Sequence, residues 1–136
     1  MKIQDLQRIL IIDNDEALVN ALEIRLRSIG FDCVTAVSGA QGLAAFDDQA
    51  IDLVITDLNM PAGDGVSLAR SIRKESDVPI VMITGFRDAF RSRVRAVPGV
   101  TLLEKPFDTN ELIDVVDAEI ALRHPRRRLR QSHSAA

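Results

Sequence analysis

Five short apolar runs, each followed by a segment with helical spacing, together with polar residues at the ends of those runs, predict the fold class of this 136-residue chain. Strand and helix alternate five times, a pattern that implies right-handed crossovers and a parallel sheet. Four of the runs are apolar almost throughout rather than alternating, as expected of strands covered on both faces. The expected architecture is α/β: a five-stranded parallel sheet in the flavodoxin-like order 2-1-3-4-5, with helices on both faces.

Taken in order, "RILIID" (8–13) reads as the first strand. In "DEALVNALEIRLRSIG" the residues Leu18, Ala21, Leu22 and Ile29 share one expected helical face, with Gly30 as the stop. "DCVTAV" (32–37) is weaker and fits a more exposed second strand; "GAQGLAAF" supplies the helix after it. "DLVITD" (52–57) is the third strand and "GVSLARSIRKE" the third helix. "VPIVMIT" (78–84) leads into "RDAFRSRVRAV", the expected fourth helix, and "VTLLEK" (100–105) is the fifth strand. The chain then enters "DTNELIDVVDAEIALR", where Asp108 or Thr109 can cap a last helix whose buried stripe is Leu112, Val115, Val116 and Ile120.

With 46% apolar and 27% charged residues, the composition is that of an ordinary globular domain, and the length suits one domain with a real core. No apolar run approaches the roughly 18 residues of a spanning helix, and "MKIQDLQR" lacks the apolar stretch of a signal peptide. A cytoplasmic protein with no membrane partner is expected. Cys33 is the single cysteine, which leaves no disulfide framework and no cysteine metal cluster. Trp and Tyr are absent, against any aromatic platform for single-stranded nucleic acid. The net charge of −3 conceals an asymmetry: residues 1–122 hold 12 Lys and Arg against 20 Asp and Glu, whereas residues 123–136 hold five Arg and no acid. The first stretch is expected to be the globular domain and the second a basic, disordered tail.

In folds of this class ligands bind outside the carboxyl ends of the strands, at the switch point beside the first strand. Four of the five runs end there on polar groups: Asp13, Asn14 and Asp15, then Asp57, Thr84 and Lys105. Any one of these has an ordinary explanation as a helix cap, a turn residue or a surface lysine. The conjunction does not. Carboxylates converging on one rim repel unless a cation neutralises them, and hard oxygen ligands suit Mg²⁺. A hydroxyl and an ammonium on the same rim suit the anionic oxygens of a phosphoryl group. The set reads as a carboxylate nucleophile with groups poised to stabilise phosphoryl transfer.

The pieces "ILIIDND", "VITDLNMPAGDG", "IVMITG" and "LLEKPF" resemble, in order and spacing, the receiver domain of two-component response regulators over roughly residues 7–122. The resemblance covers either a single-domain regulator or a receiver from a hybrid kinase. It implies that Asp57 is the phosphoacceptor for a phosphohistidine on a sensor histidine kinase or phosphotransfer protein. It implies that Asp13, Asp57 and the backbone carbonyl of Asn59 hold Mg²⁺, and that Thr84 and Lys105 meet phosphoryl oxygens. It also implies a cis Lys105–Pro106 bond, X–Pro being the one linkage where cis is cheap. The loop from Pro61 to Gly65 is expected to keep the next helix clear of Asp57. Asn59 and Phe86 take the two positions expected to flank the attack of water on the phosphoryl group.

Two residues depart from the family pattern. Asn14 stands where a second acid is usual, so a weaker hold on Mg²⁺ is expected, with Asp15 compensating in part or Asn14 merely capping the first helix. Leu102 stands where an aromatic residue commonly follows the movement of Thr84. The phosphoacceptor reading therefore has an alternative, a pseudo-receiver that binds partners without phosphorylation. A phosphatase or flavoprotein on the same fold is disfavoured, because "DNDEAL" is no phosphate-binding loop and no second acid lies two residues after Asp57. The expected output surface is formed by the fourth helix, fifth strand and last helix, with Arg91 and Arg95 one turn apart. It would meet a downstream protein, with homodimer formation also open, and the Arg tail offers no sequence-specific contact to nucleic acid.

Overall fold

β1 (Arg8–Ile12), β3 (Leu53–Asp57) and β6 (Ile80–Thr84) are the three inner strands of a parallel sheet, and every residue of β3 and β6 is buried. β2 (Asp32–Ala36) and β7 (Val100–Glu104) form its edges and are only partly covered. The order β2-β1-β3-β6-β7 is the expected 2-1-3-4-5 once two short pieces are set aside. These are β4 (Asn59–Met60) and β5 (Gly63–Asp64), which pair antiparallel with each other just beyond β3. The computed structural model describes residues 6–60, 63–85 and 94–123. The tail beyond Arg123, Phe86, and the expected fourth helix up to Arg93, Arg91 included, lie outside the described residues.

Successive strand residues point to opposite faces, so each inner strand feeds two core layers. Ile9, Ile11, Leu53, Ile55, Val81 and Ile83 face one layer, closed by α1 (Glu16–Ser28) and the C-terminal helix (Thr109–Arg123). Leu10, Ile12, Val54, Ile80 and Met82 face the other, closed by α2 (Gly39–Asp48) and α3 (Gly65–Arg73). Gly42 lets α2 lie close on β1: a Cβ there would come within 2.5 Å of the Ile12 side chain. Leu102 is half-buried and packs on this second layer, which also takes in Val94 and Val97.

The helix ends obey local chemistry. Asp15, and not Asn14, caps α1 by accepting from the Leu18 N–H at 3.2 Å. At the other end Phe31 N–H donates to Leu26 and Gly30 N–H to Arg27, with Gly30 at φ 105°, the paired bonds of a Schellman stop. The expected stripe on α1 is corrected here. Val19, Leu22 and Leu26 are its buried residues, while Ala21 is exposed and Ile29 is 37% exposed. Ile29 has already left the helix as its C-cap residue, so its side chain no longer follows the helical period. On the C-terminal helix the expected Leu112, Val116 and Ile120 are buried, with Val115 packed beside them. Asp108 caps it, accepting from Asn110 N–H at 2.9 Å, while Glu111 reaches back to the Asp108 N–H at 3.3 Å.

Cys33 is buried on β2, and burial pushes its thiol up to about 11. It should resist alkylation at pH 8 in the native protein and react fully once the chain is unfolded, read by intact mass. Leu26→Ala should cost about 2–5 kcal/mol in chemical denaturation, whereas Ile29→Ala should cost less than about 1 kcal/mol. Equal costs would restore the stripe read from the sequence.

Candidate functional site

At the carboxyl end of the sheet, β1, β3, β6 and β7 each deliver one polar residue to the same rim. Asp13 follows β1, Asp57 ends β3, Thr84 ends β6 and Lys105 follows β7. The register explains the convergence, since Ile12 lies beside Thr56, Asp57 beside Ile83 and Thr84 beside Glu104. Asp13, Asp57 and Thr84 are all buried. Backbone bonds continue the sheet into the rim: Asp13 N–H donates to Ala36, Leu58 N–H to Ile83, and Lys105 N–H to Thr84 at 2.7 Å.

Among the described residues, the buried carboxylates of Asp13 and Asp57 lie beside the Lys105 ammonium. Lys105 Nζ lies 3.8 Å from Asp13 Oδ2 and 3.8 Å from Asp57 Oδ1. These separations give charge contact without a hydrogen bond. Each pair is worth on the order of 4 kcal/mol gross at an effective dielectric near 20, and less after screening, because the Lys105 side chain is 35% exposed. Asp13 Oδ1 accepts from the Asp15 N–H at 2.9 Å, but its buried Oδ2 has no hydrogen-bond partner. A buried carboxylate oxygen left in that state is what a hard cation would satisfy. Asp13 and Asp57, with the Asn59 carbonyl on the adjoining β4, are the groups here that could hold Mg²⁺. Among the described residues no set of three or more His, Cys, Asp or Glu side chains is placed to hold a metal ion.

The two residues after Asp13 are not part of the buried set. Asn14 and Asp15 are exposed, and Asp15 is engaged in capping α1. The Lys105–Pro106 bond is cis. Beside Thr84, a Cβ on Gly85 would meet nothing within 4 Å among the described residues. The expectation that the loop keeps α3 clear of Asp57 is corrected. The first residue of α3, Gly65, is pressed on the backbone of β3, its N–H donating to Leu58 at 2.8 Å. A Cβ at Gly65 would fall 2.5 Å from the Asp57 carbonyl oxygen and 3.1 Å from Leu58 Cα. β4 and β5 pair antiparallel, with Asn59 opposite Asp64, and the helix starts directly against the strand end. The sequence signal missed was the "DG" before the helix, which marks close backbone approach as readily as a turn.

Residues 9–117 match the model of the response regulator receiver domain. The chain belongs to that family. A "DNA-binding response regulator MtrA" of Mycolicibacterium paratuberculosis is 37% identical over 115 residues, 84% of this chain and 51% of that protein. A "Probable transcriptional regulator ycf27" of Porphyridium aerugineum is 37% identical over 111 residues, 78% of this chain and 45% of that protein. This receiver chain thus spans about half the length of the curated relatives it matches. Among solved structures, a response regulator receiver protein of Sinorhizobium medicae superposes with a TM-score of 0.80 at 30% identity, covering 89% of this chain and 99% of its own.

Alanine at position 65 should test how tightly this receiver's α3 is seated. Helix propensity alone would make Gly65→Ala stabilising by up to about 1 kcal/mol. Contact with rigid backbone should reverse the sign and cost about 1–3 kcal/mol. The denaturation midpoint against wild type reads the sign directly.

Proposed function

We propose that this receiver is a phosphoacceptor signalling domain in which Asp57 takes a phosphoryl group from the phosphohistidine of a sensor histidine kinase or phosphotransfer protein. The observation that supports this most is the meeting of Asp13, Asp57 and Lys105 within 3.8 Å contacts at a rim that Thr84 also reaches. An Asp57 oxygen attacks phosphorus, the P–N bond to the donor imidazole breaks, and a mixed anhydride forms on the side chain. Lys105 and the Thr84 hydroxyl receive the charge that builds on the phosphoryl oxygens. Mg²⁺, held by Asp13, Asp57 and the Asn59 carbonyl, would neutralise that charge and orient the donor. Water later attacks the same phosphorus, releasing phosphate and restoring the carboxylate.

No described helix is long and apolar enough to cross a membrane, which agrees with action on cytoplasmic partners. The DNA binding printed in the name of MtrA belongs to a protein about twice as long; for this chain we retain a protein target as the output. The second reading, a receiver that signals without phosphorylation, draws on one observation: the rim holds two buried carboxylates, and Asn14 adds no charge.

Phosphoramidate with Mg²⁺ should add the mass of one phosphoryl group to the wild type and none to Asp57→Asn. An adduct retained in Asp57→Asn would place the acceptor elsewhere, and no adduct on either protein would favour the second reading. Lys105→Gln should slow the labelling by about a hundredfold, followed by intact mass over time.

A further inference from the structure

We propose that Thr56 is a positioning residue for the phosphoacceptor: its buried hydroxyl ties down the peptide unit that follows Asp57 and so aims the carboxylate. The inference rests on the phosphoacceptor reading above and deepens it by naming what holds the acceptor in place.

Thr56 lies in the inner strand β3 with none of its surface exposed. By strand alternation its side chain shares a face with Val54 and Leu58, on the layer closed by α2 and α3. Its neighbours across the ladders are Ile12 on β1 and Met82 on β6, both buried and apolar. Valine has the same branched shape and would suit such a layer without taking a hydroxyl out of water. Packing alone therefore gives no reason for a threonine here. The hydrogen bond does: Thr56 Oγ1 donates to the Asp57 backbone carbonyl at 3.0 Å, inside the protein.

That carbonyl belongs to the peptide unit joining Asp57 to Leu58. The other polar group of the same unit, the Leu58 N–H, donates to the Ile83 carbonyl at 2.9 Å. Both polar groups of the unit are thus held, one by the ladder to β6 and one by the Thr56 side chain. Gly65 closes on the same carbonyl oxygen, so near that a Cβ there would lie 2.5 Å from it. The orientation of this unit sets the backbone at the Asp57 Cα, and with it the direction in which the carboxylate leaves the strand. In-line attack on phosphorus tolerates little error in that direction, and a misplacement of about 1 Å can cost about a hundredfold in rate. A β-branched hydroxyl suits the task, because its χ1 is stiff and no water reaches it to compete for the bond. Without the hydroxyl the unit loses one of its fixed points and the acceptor is aimed less sharply.

Thr56→Val and Thr56→Ser separate the hydroxyl from the methyl group. Each full chain is labelled with phosphoramidate and Mg²⁺, intact mass is followed over time, and denaturation midpoints are measured alongside. Thr56→Val, folded, should slow labelling at Asp57 by about tenfold or more. Thr56→Ser keeps the hydroxyl and loses a buried methyl, so it should unfold more easily yet label at close to the wild-type rate. A merely structural threonine would give the opposite order, with labelling following packing and Thr56→Ser the slower of the two. Wild-type labelling in Thr56→Val, or equal slowing in both variants, overturns the proposal and leaves the phosphoacceptor reading standing. Should Thr56→Val not fold, Thr56→Ala removes the same hydroxyl and is read against Thr56→Ser in the same way. If the wild type itself takes no label, the phosphoacceptor reading fails, and this proposal with it.

Discussion

The burial of two carboxylates beside one ammonium is the constraint from which the rest of this receiver can be understood. Like charges brought out of water together are expensive, and the expense is tolerable only with a cation in contact. Asp13 and Asp57 reach that position because β1 and β3 are adjacent inner strands whose last turns of pleat lie side by side. Lys105 reaches it from two strands away, past β6, from the end of an edge strand. Its Nζ ends 3.8 Å from both carboxylates. The net stability of a domain this size is a small difference between large terms. The charged rim therefore persists because two full apolar layers beneath it make the sheet ends stiff.

That stiffness is visible where backbone meets backbone. Gly65 sits so close to the Asp57 carbonyl that no side chain fits between α3 and β3. Gly42 makes room of another kind, for the Ile12 side chain between α2 and β1. Both contacts fix helices on the layer that also holds Leu102, Val94 and Val97. Leu102 is thus a packed residue in this chain, paired with Met82 across the strands and contributing to the core beside the rim.

The strands and their order were legible because parallel inner strands leave an unmistakable trace of continuous apolar residues between helical segments. All five fall within a residue or two of their expected bounds, from Arg8–Ile12 to Val100–Glu104. The meeting of Asp13, Asp57, Thr84 and Lys105 was legible for a topological reason: a parallel sheet brings every strand's carboxyl end to one side. Misreadings came where chain geometry overrides periodicity. Ile29 matches the apolar spacing of α1 but sits in its C-cap, and Val19 and Leu26 take the buried positions instead. At the end of β3, spacing said nothing of the short ladder between Asn59–Met60 and Gly63–Asp64, nor of Gly65 lying against the strand. The identity of the α1 cap turned on one residue, Asp15 rather than Asn14, because the cap must stand one position before the first helical residue.

The two ends of the sheet are finished in opposite ways, and the contrast locates the chemistry independently of any motif. At the amino ends polar groups are closed off against one another. Arg8 donates through Nε to Asp32 at 2.7 Å across β1 and β2, and its guanidinium holds the Asp32 carboxyl below its ordinary range. Asp52, just before β3, accepts from the Arg8 N–H at 2.8 Å. Arg73, at the end of α3, spreads its guanidinium over the carbonyls of Ser76, Pro98 and Gly99, pinning the chain on its way into β6 and β7. Those contacts use short hydrogen bonds and complementary charge, and they engage the amino ends of all five strands of the parallel sheet. At the carboxyl ends the pattern differs: Lys105 lies 3.8 Å from both Asp13 and Asp57, and a buried oxygen of Asp13 lacks a hydrogen bond. The carboxyl end is thus where a buried carboxylate oxygen, Asp13 Oδ2, is left without a hydrogen bond.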